Sequence, residues 1–105
     1  LHAKLGAFYA RYKYDVNDQE VLDAICYHTT GRPNMTLLEK IIFVADYIEP
    51  NRRMLKDMEE IRKEAFSDID KCVVHILKNT LDYLLSSTND IDYMTQMTYN
   101  YYVTK

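Results

Sequence analysis

Apolar residues recur at helical spacing along almost the whole of this chain. Residues 1 to about 13 read as a helix, with Leu1, Leu5, Ala7, Phe8 and Tyr9 supplying its apolar surface and no cap before it, as though it continued a longer segment. "DVND" at 15–18 is a loop, and Asn17 with Glu20 three residues later predicts a capping box. The helix it opens runs to about His28, with Val21, Leu22, Ala24 and Ile25 on one face. "TTGRPN" combines Gly31 and Pro33 and breaks it. Thr36 and Glu39 form a second predicted capping box, opening a helix that Pro50 stops. A short helix follows at about 56–66 and a long one at about 68–86. In the long helix Ile69, Cys72, Val73, Ile76, Leu77, Thr80, Leu81 and Leu84 make one stripe, the pattern of a buried face. Residues 91–103 predict a last helix whose tyrosines, Tyr93, Tyr99, Tyr101 and Tyr102, are expected to pack.

Two glycines and two prolines in 105 residues are too few for a turn-rich β protein, so the expected class is all-α, in one domain. With 48% hydrophobic and 28% charged residues the chain has an ordinary globular composition. A net charge of −3 argues against a nucleic-acid surface. No apolar run approaches the ~20 residues of a membrane span, and no cationic leader precedes an apolar segment. Cys26 and Cys72 lie in helical patterns without CxxC spacing and are expected to be reduced thiols.

The sharpest question lies in "LLEKIIFVADYIEPNRR", residues 37–53. Leu37, Leu38, Ile41, Ile42, Val44, Ala45 and Ile48, with Phe43 and Tyr47, leave little room for a polar face, yet Asp46 sits among them. A buried carboxylate costs several kcal/mol unless something pairs with it. Either a salt bridge from Lys40 or Arg52 or a metal ion answers that cost, and spacing alone does not choose. Of the three histidines, His75 lies opposite its helix's apolar stripe and is expected to face solvent. His2 and His28 fall on apolar faces, His28 with Val21, Leu22 and Ile25. Imidazole and carboxylate donors suit a divalent transition metal, which makes His2, His28 and Asp46 a candidate ligand set. Thr29, Thr30 and Gly31 follow His28 directly and offer hydroxyl and backbone donors for a phosphate, while Arg52 can take phosphate oxygens in bidentate fashion. The alternative is that "TTGRPN" is a linker and the arginines solvated.

Taken in order, "LHAKLGA", "AICYHTTGRPNMTLLEKIIFVADYIEPNRR", "IRKEAFSDID" and the closing "TYN" resemble the C-terminal part of YqeK-type proteins of the HD superfamily. The resemblance covers essentially the whole chain, more loosely in its last thirty residues. It implies an HD-domain-like helical bundle, incomplete at the N-terminus, with residues 1–105 as the C-terminal part of one phosphohydrolase domain in a bacterial cytoplasm. It further implies symmetrical cleavage of diadenosine tetraphosphate into two ADP with a metal pair, commonly iron. On this resemblance His2, His28 and Asp46 match metal ligands, His28 and Asp46 stand at the catalytic centre, and Thr29, Thr30, Gly31 and Arg52 face the substrate. The family's His-Asp dipeptide, which it carries before the "LHA" stretch, does not occur in these 105 residues. Two expectations follow: the chain alone is incomplete as an enzyme, and apolar faces around Leu5, Tyr9, Ile41 and Phe43 drive self-association. A non-catalytic helical module that binds nucleotide or a partner is the rival reading.

Overall fold

The computed structural model of the chain describes residues 6–7, 10–11, 13, 17–49, 57–86 and 92–105. The opening helix expected at 1–13 lies mostly outside these residues, as do His2, Leu5, Tyr9, Pro50 and Arg52; residues 6, 7, 10 and 11 are helical. Five further helices are described: α1 (Gln19–Tyr27), α2 (Leu37–Tyr47), α3 (Met58–Ser67), α4 (Ile69–Ser86) and α5 (Tyr93–Val103). No strand occurs among the described residues, and none of their helices is long and apolar enough to cross a membrane. The all-α class expected from the sequence is what the described residues show.

The long stripe of α4 is the spine. Cys72, Val73, Ile76 and Leu77 are all within 1% of full burial, and Leu81 continues the row. α2, α3 and α5 each pack on α4, and α1 packs on α2. Phe43 and Val44 of α2, Ile61 of α3, Tyr102 of α5 and Met35 from the loop between α1 and α2 close on the same core. Both cysteines are free thiols, Cys72 buried and Cys26 half-buried, and burial pushes the Cys72 thiol up to about 11, which keeps it protonated and inert.

Polar contacts join the helices. α1 is capped by Asp18, whose carboxylate accepts from the Glu20 N–H at 2.9 Å, not by the Asn17–Glu20 box expected. Asp18 is one residue nearer the first helical turn and offers the same side-chain oxygen, so it takes the role. The Thr36–Glu39 box at α2 is complete in both directions. Glu39 also does more than cap: at 2% exposure it is among the most buried residues. The Arg32 guanidinium grips it through Nε and Nη2 at 2.5 and 2.6 Å. Burial pushes the Glu39 carboxyl upward, but the Arg32 fork and the Thr36 backbone N–H outweigh it and hold the pKa below the ordinary range. Arg32 stacks over the Tyr27 ring at 5.7 Å and lies 3.8 Å from Asp23. The loop is fixed at its far side by the Met35 N–H, which donates to the Tyr102 hydroxyl at 2.6 Å. Gly31 adopts φ +72°, and a Cβ there would meet Thr98 Cγ2 at 2.9 Å, so the close approach of loop and α5 requires glycine. Lys40 bonds Asp70 at 2.6 Å, tying α2 to α4.

Three expectations are corrected. His75 does not face solvent: its side chain is 17% exposed between α3 and α4. Its Nδ1 lies 2.8 Å from Glu64 and its Nε2 3.1 Å from Asp57. The apolar stripe of α4 correctly excluded His75 from the main core, but α3 presents a carboxylate face to that side. Nor is α2 buried all round, for Leu37, Ile41 and Ile42 are 63%, 45% and 38% exposed. Phe43, expected on an exposed face, is instead buried against α4 at 4% exposure.

Removing the cation from a buried pair leaves an uncompensated charge. Arg32→Ala is expected to cost about 3 kcal/mol in chemical denaturation; a loss under about 1 kcal/mol would mean that the pair behaves as an exposed one. At His75, burial opposes the charged imidazole, but hydrogen bonds to Asp57 and Glu64 outweigh it and raise the pKa above its ordinary value. Stability from a raised pKa is fully present below the unfolded value of ~6.5 and is lost as pH rises through the folded value. The stability gap between the wild-type chain and His75→Gln is therefore expected to be larger at about pH 5.5 than at about pH 8.5. A gap that widens with pH would show that His75 is held neutral.

Candidate metal and phosphate site

His28 caps the C-terminus of α1, where its ring is turned by a local bond: Nδ1 lies 2.7 Å from the Ile25 carbonyl oxygen. A carbonyl only accepts, so Nδ1 donates there, and in the neutral ring Nε2 is the nitrogen that keeps a lone pair. This is the orientation that metal-ligating histidines adopt, with the second nitrogen spent on a backbone or carboxylate oxygen. Asp46 comes from the last turn of α2. His28, Thr29 and Asp46 line one cavity of about 180 Å³, with Tyr47, Phe43, Ile76, Leu77, Thr80 and Thr95 as the other walls. An imidazole nitrogen and a carboxylate oxygen on one cavity, backed by an apolar floor, fit a divalent transition metal.

The cavity brings together His28, Thr29 and Asp46 from the sequence-based set. Thr30 and Gly31 stand beside it with their donors engaged: the Thr30 hydroxyl donates to the Gly31 carbonyl at 2.9 Å, and the Gly31 N–H to Tyr27 O at 2.8 Å. Lys40, weighed as a partner for Asp46, is committed to Asp70. His2 and Arg52 lie outside the described residues. Two cavity residues escaped the sequence reading. Thr80 sat in the α4 stripe as apparent core, and Thr95 sits on a helix whose faint periodicity marks no inward face; a threonine amid tyrosines gave no signal.

A second group of liganding side chains exists. Atoms of Asp57, Glu60 and His75 lie within 4.8 Å of one another. Here both imidazole nitrogens face carboxylates, so both carry protons when the ring is charged, and the group reads as an ion-pair hub. It presents no lone pair comparable to that of His28.

No protein-family model matches the chain. Its relatives include a symmetrical bis(5'-nucleosyl)-tetraphosphatase of Halalkalibacterium halodurans, 49% identical over 100 residues that make up 95% of this chain and 53% of that protein. The protein of the same name in Bacillus subtilis is 45% identical over 97% of this chain and 54% of its own length. A crystal structure from Clostridium acetobutylicum, described by prediction as an HD superfamily hydrolase involved in NAD metabolism, superposes with a TM-score of 0.94 at 40% identity. It is matched by 99% of this chain over 55% of its own length. The chain thus spans about half the length of the curated relatives it matches. Sequence order, fold and relatives agree, and the chain belongs to the YqeK-type family of the HD superfamily.

Proposed function

We propose that residues 1–105 form the C-terminal part of an HD-type metal-dependent phosphohydrolase domain that cleaves diadenosine tetraphosphate symmetrically into two ADP. The observation that carries this reading is the shared cavity of His28 and Asp46, with His28 Nε2 left as a lone-pair donor by the Nδ1 bond to Ile25. His28, Asp46 and His2 would hold the metal, for which we propose iron. A bound divalent ion supplies Lewis-acid polarisation of phosphoryl oxygens and lowers the pKa of an attacking water. The chain's own residues orient and bind. His28 is fixed in one tautomer, and Asp46 brings a carboxylate to a site with an apolar floor, where electrostatic interactions are stronger than in water. Thr29 meets the polyphosphate at the cavity, Thr30 and Gly31 hold the loop's shape beside it, and Arg52 supplies the cationic fork. A bacterial cytoplasm is the setting proposed for it; the relatives named above are from bacteria.

The rival reading is a non-catalytic nucleotide-binding module, and one experiment separates the two. Anaerobically reconstituted chain is to be assayed for metal content and for products from diadenosine tetraphosphate. ADP as the sole product, with His28→Ala and Asp46→Asn each losing metal affinity or turnover by at least about 100-fold, is the expected result. Nucleotide binding without metal or turnover would replace the enzyme by the module; formation of ATP and AMP would overturn the symmetrical cut.

We also propose that the exposed row of α2, Leu37, Ile41 and Ala45 at helical spacing of four, is covered by a second copy of this chain. Light scattering is expected to show a dimer that Ile41→Lys converts to monomer; a monomeric wild-type chain would contradict it.

A further inference from the structure

Thr95, on the first turn of α5, is 4% exposed and lines the cavity that also holds His28, Thr29 and Asp46. Other threonines on the helices or at their caps spend their hydroxyls on the carbonyl four residues back. Thr98 donates to Met94 at 2.7 Å, Thr80 to Ile76 at 2.9 Å and Thr104 to Asn100 at 3.2 Å. Four residues before Thr95 the chain has not yet entered α5, which begins at Tyr93 behind the Asp92 cap. Among the described residues the Thr95 hydroxyl has no hydrogen-bond partner, and no side-chain oxygen sealed from solvent lacks one. Among the described residues the hydroxyl is thus neither bonded nor sealed, on a side chain that lines the cavity.

An unused hydroxyl in an apolar wall is costly unless a ligand or water completes it. The neighbouring wall does not supply one: Phe43, Ile76 and Leu77 are apolar, and the Thr80 hydroxyl already donates to its own helix. We propose that the Thr95 hydroxyl donates a hydrogen bond to a phosphoryl oxygen of the polyphosphate, positioning the substrate from the face of the cavity built by α5. This rests on the phosphohydrolase reading above and adds to it a substrate contact on an element outside α1 and α2. A phosphate oxygen is the fitting acceptor, because the cavity already brings together the donors suited to a metal and a phosphate bound there would be negatively charged.

The test uses the metal-reconstituted chain with Thr95→Val, which keeps shape and removes the hydroxyl, and Thr95→Ser, which keeps the hydroxyl and removes the methyl. ADP affinity by calorimetry, metal content and thermal midpoint are measured on all three proteins, with KM and kcat for diadenosine tetraphosphate where turnover occurs. Thr95→Val is expected to weaken ADP binding and raise KM by about 10- to 100-fold, as for loss of a hydrogen bond to a charged group. Metal content and thermal midpoint are expected to stay at wild-type values, and Thr95→Ser to restore binding. Wild-type ADP affinity in Thr95→Val overturns the inference alone, as does equal impairment in Thr95→Ser, which would assign the effect to packing of the methyl. A wild-type chain that binds neither ADP nor diadenosine tetraphosphate overturns the phosphohydrolase reading and this inference together.

Discussion

The buried carboxylate of Glu39 is the constraint on which the arrangement depends. At 2% exposure it cannot remain ionised without a cation, and Arg32 supplies one seven residues away in sequence. Satisfying it fixes the loop between α1 and α2, because Arg32 must reach back along α2 while Met35 is held at Tyr102. Glu39 and Asp46 are seven residues apart, about 20° from one another around the helix. One face of α2 thus carries two carboxylates, a structural one met by the loop's arginine and one that shares a cavity with the histidine at the loop's start. The loop runs beside α2 so that Arg32 serves Glu39 and His28 stands with Asp46.

The two described histidines show why hydrogen bonding, more than position on a helical face, decides what an imidazole can do. His28 gives one nitrogen to a carbonyl, which fixes the tautomer and leaves a lone pair. His75 lies between Glu64 and Asp57, an environment that favours a doubly protonated, charged ring. The first is the nitrogen proposed for the metal; the second ties α3 to α4. The three groups Asp57, Glu60 and His75, within 4.8 Å of one another, therefore carry less weight than one oriented nitrogen on the cavity that Asp46 also lines.

Much of this was legible along the chain. The α4 stripe marked the spine, since seven apolar residues on one helical face have no other stable destination. Thr36 and Glu39 marked the start of α2 because their spacing is the capping motif itself. What stayed hidden depends on contacts between elements. A capping glutamate is ordinarily exposed, so nothing in "MTLLEK" announced that Arg32 would bury it. A helical wheel placed His75 away from the core but could not show α3's carboxylates arriving there. His28 and Asp46 each sat on apolar faces, while their sharing of one cavity required the packing of α1 on α2. Thr95 was invisible for a further reason: its helix has no clear apolar face, and an unbonded hydroxyl is a property of three-dimensional surroundings.

The exposed row on α2 connects the site to whatever covers that helix. Leu37, Ile41 and Ala45 run along the same rod that carries Phe43, Val44 and Asp46, and a rod of three turns moves as a unit. Its inner face is locked by Glu39, Phe43 and Val44, so the register of α2 against α4 is already set. Cover on the outer face would leave the cavity shared by His28 and Asp46 as it stands and would act on the last turn of the helix, where Asp46 sits. The proposed cover of the apolar row would in this way bear on Asp46 through one short helix, without touching the cavity.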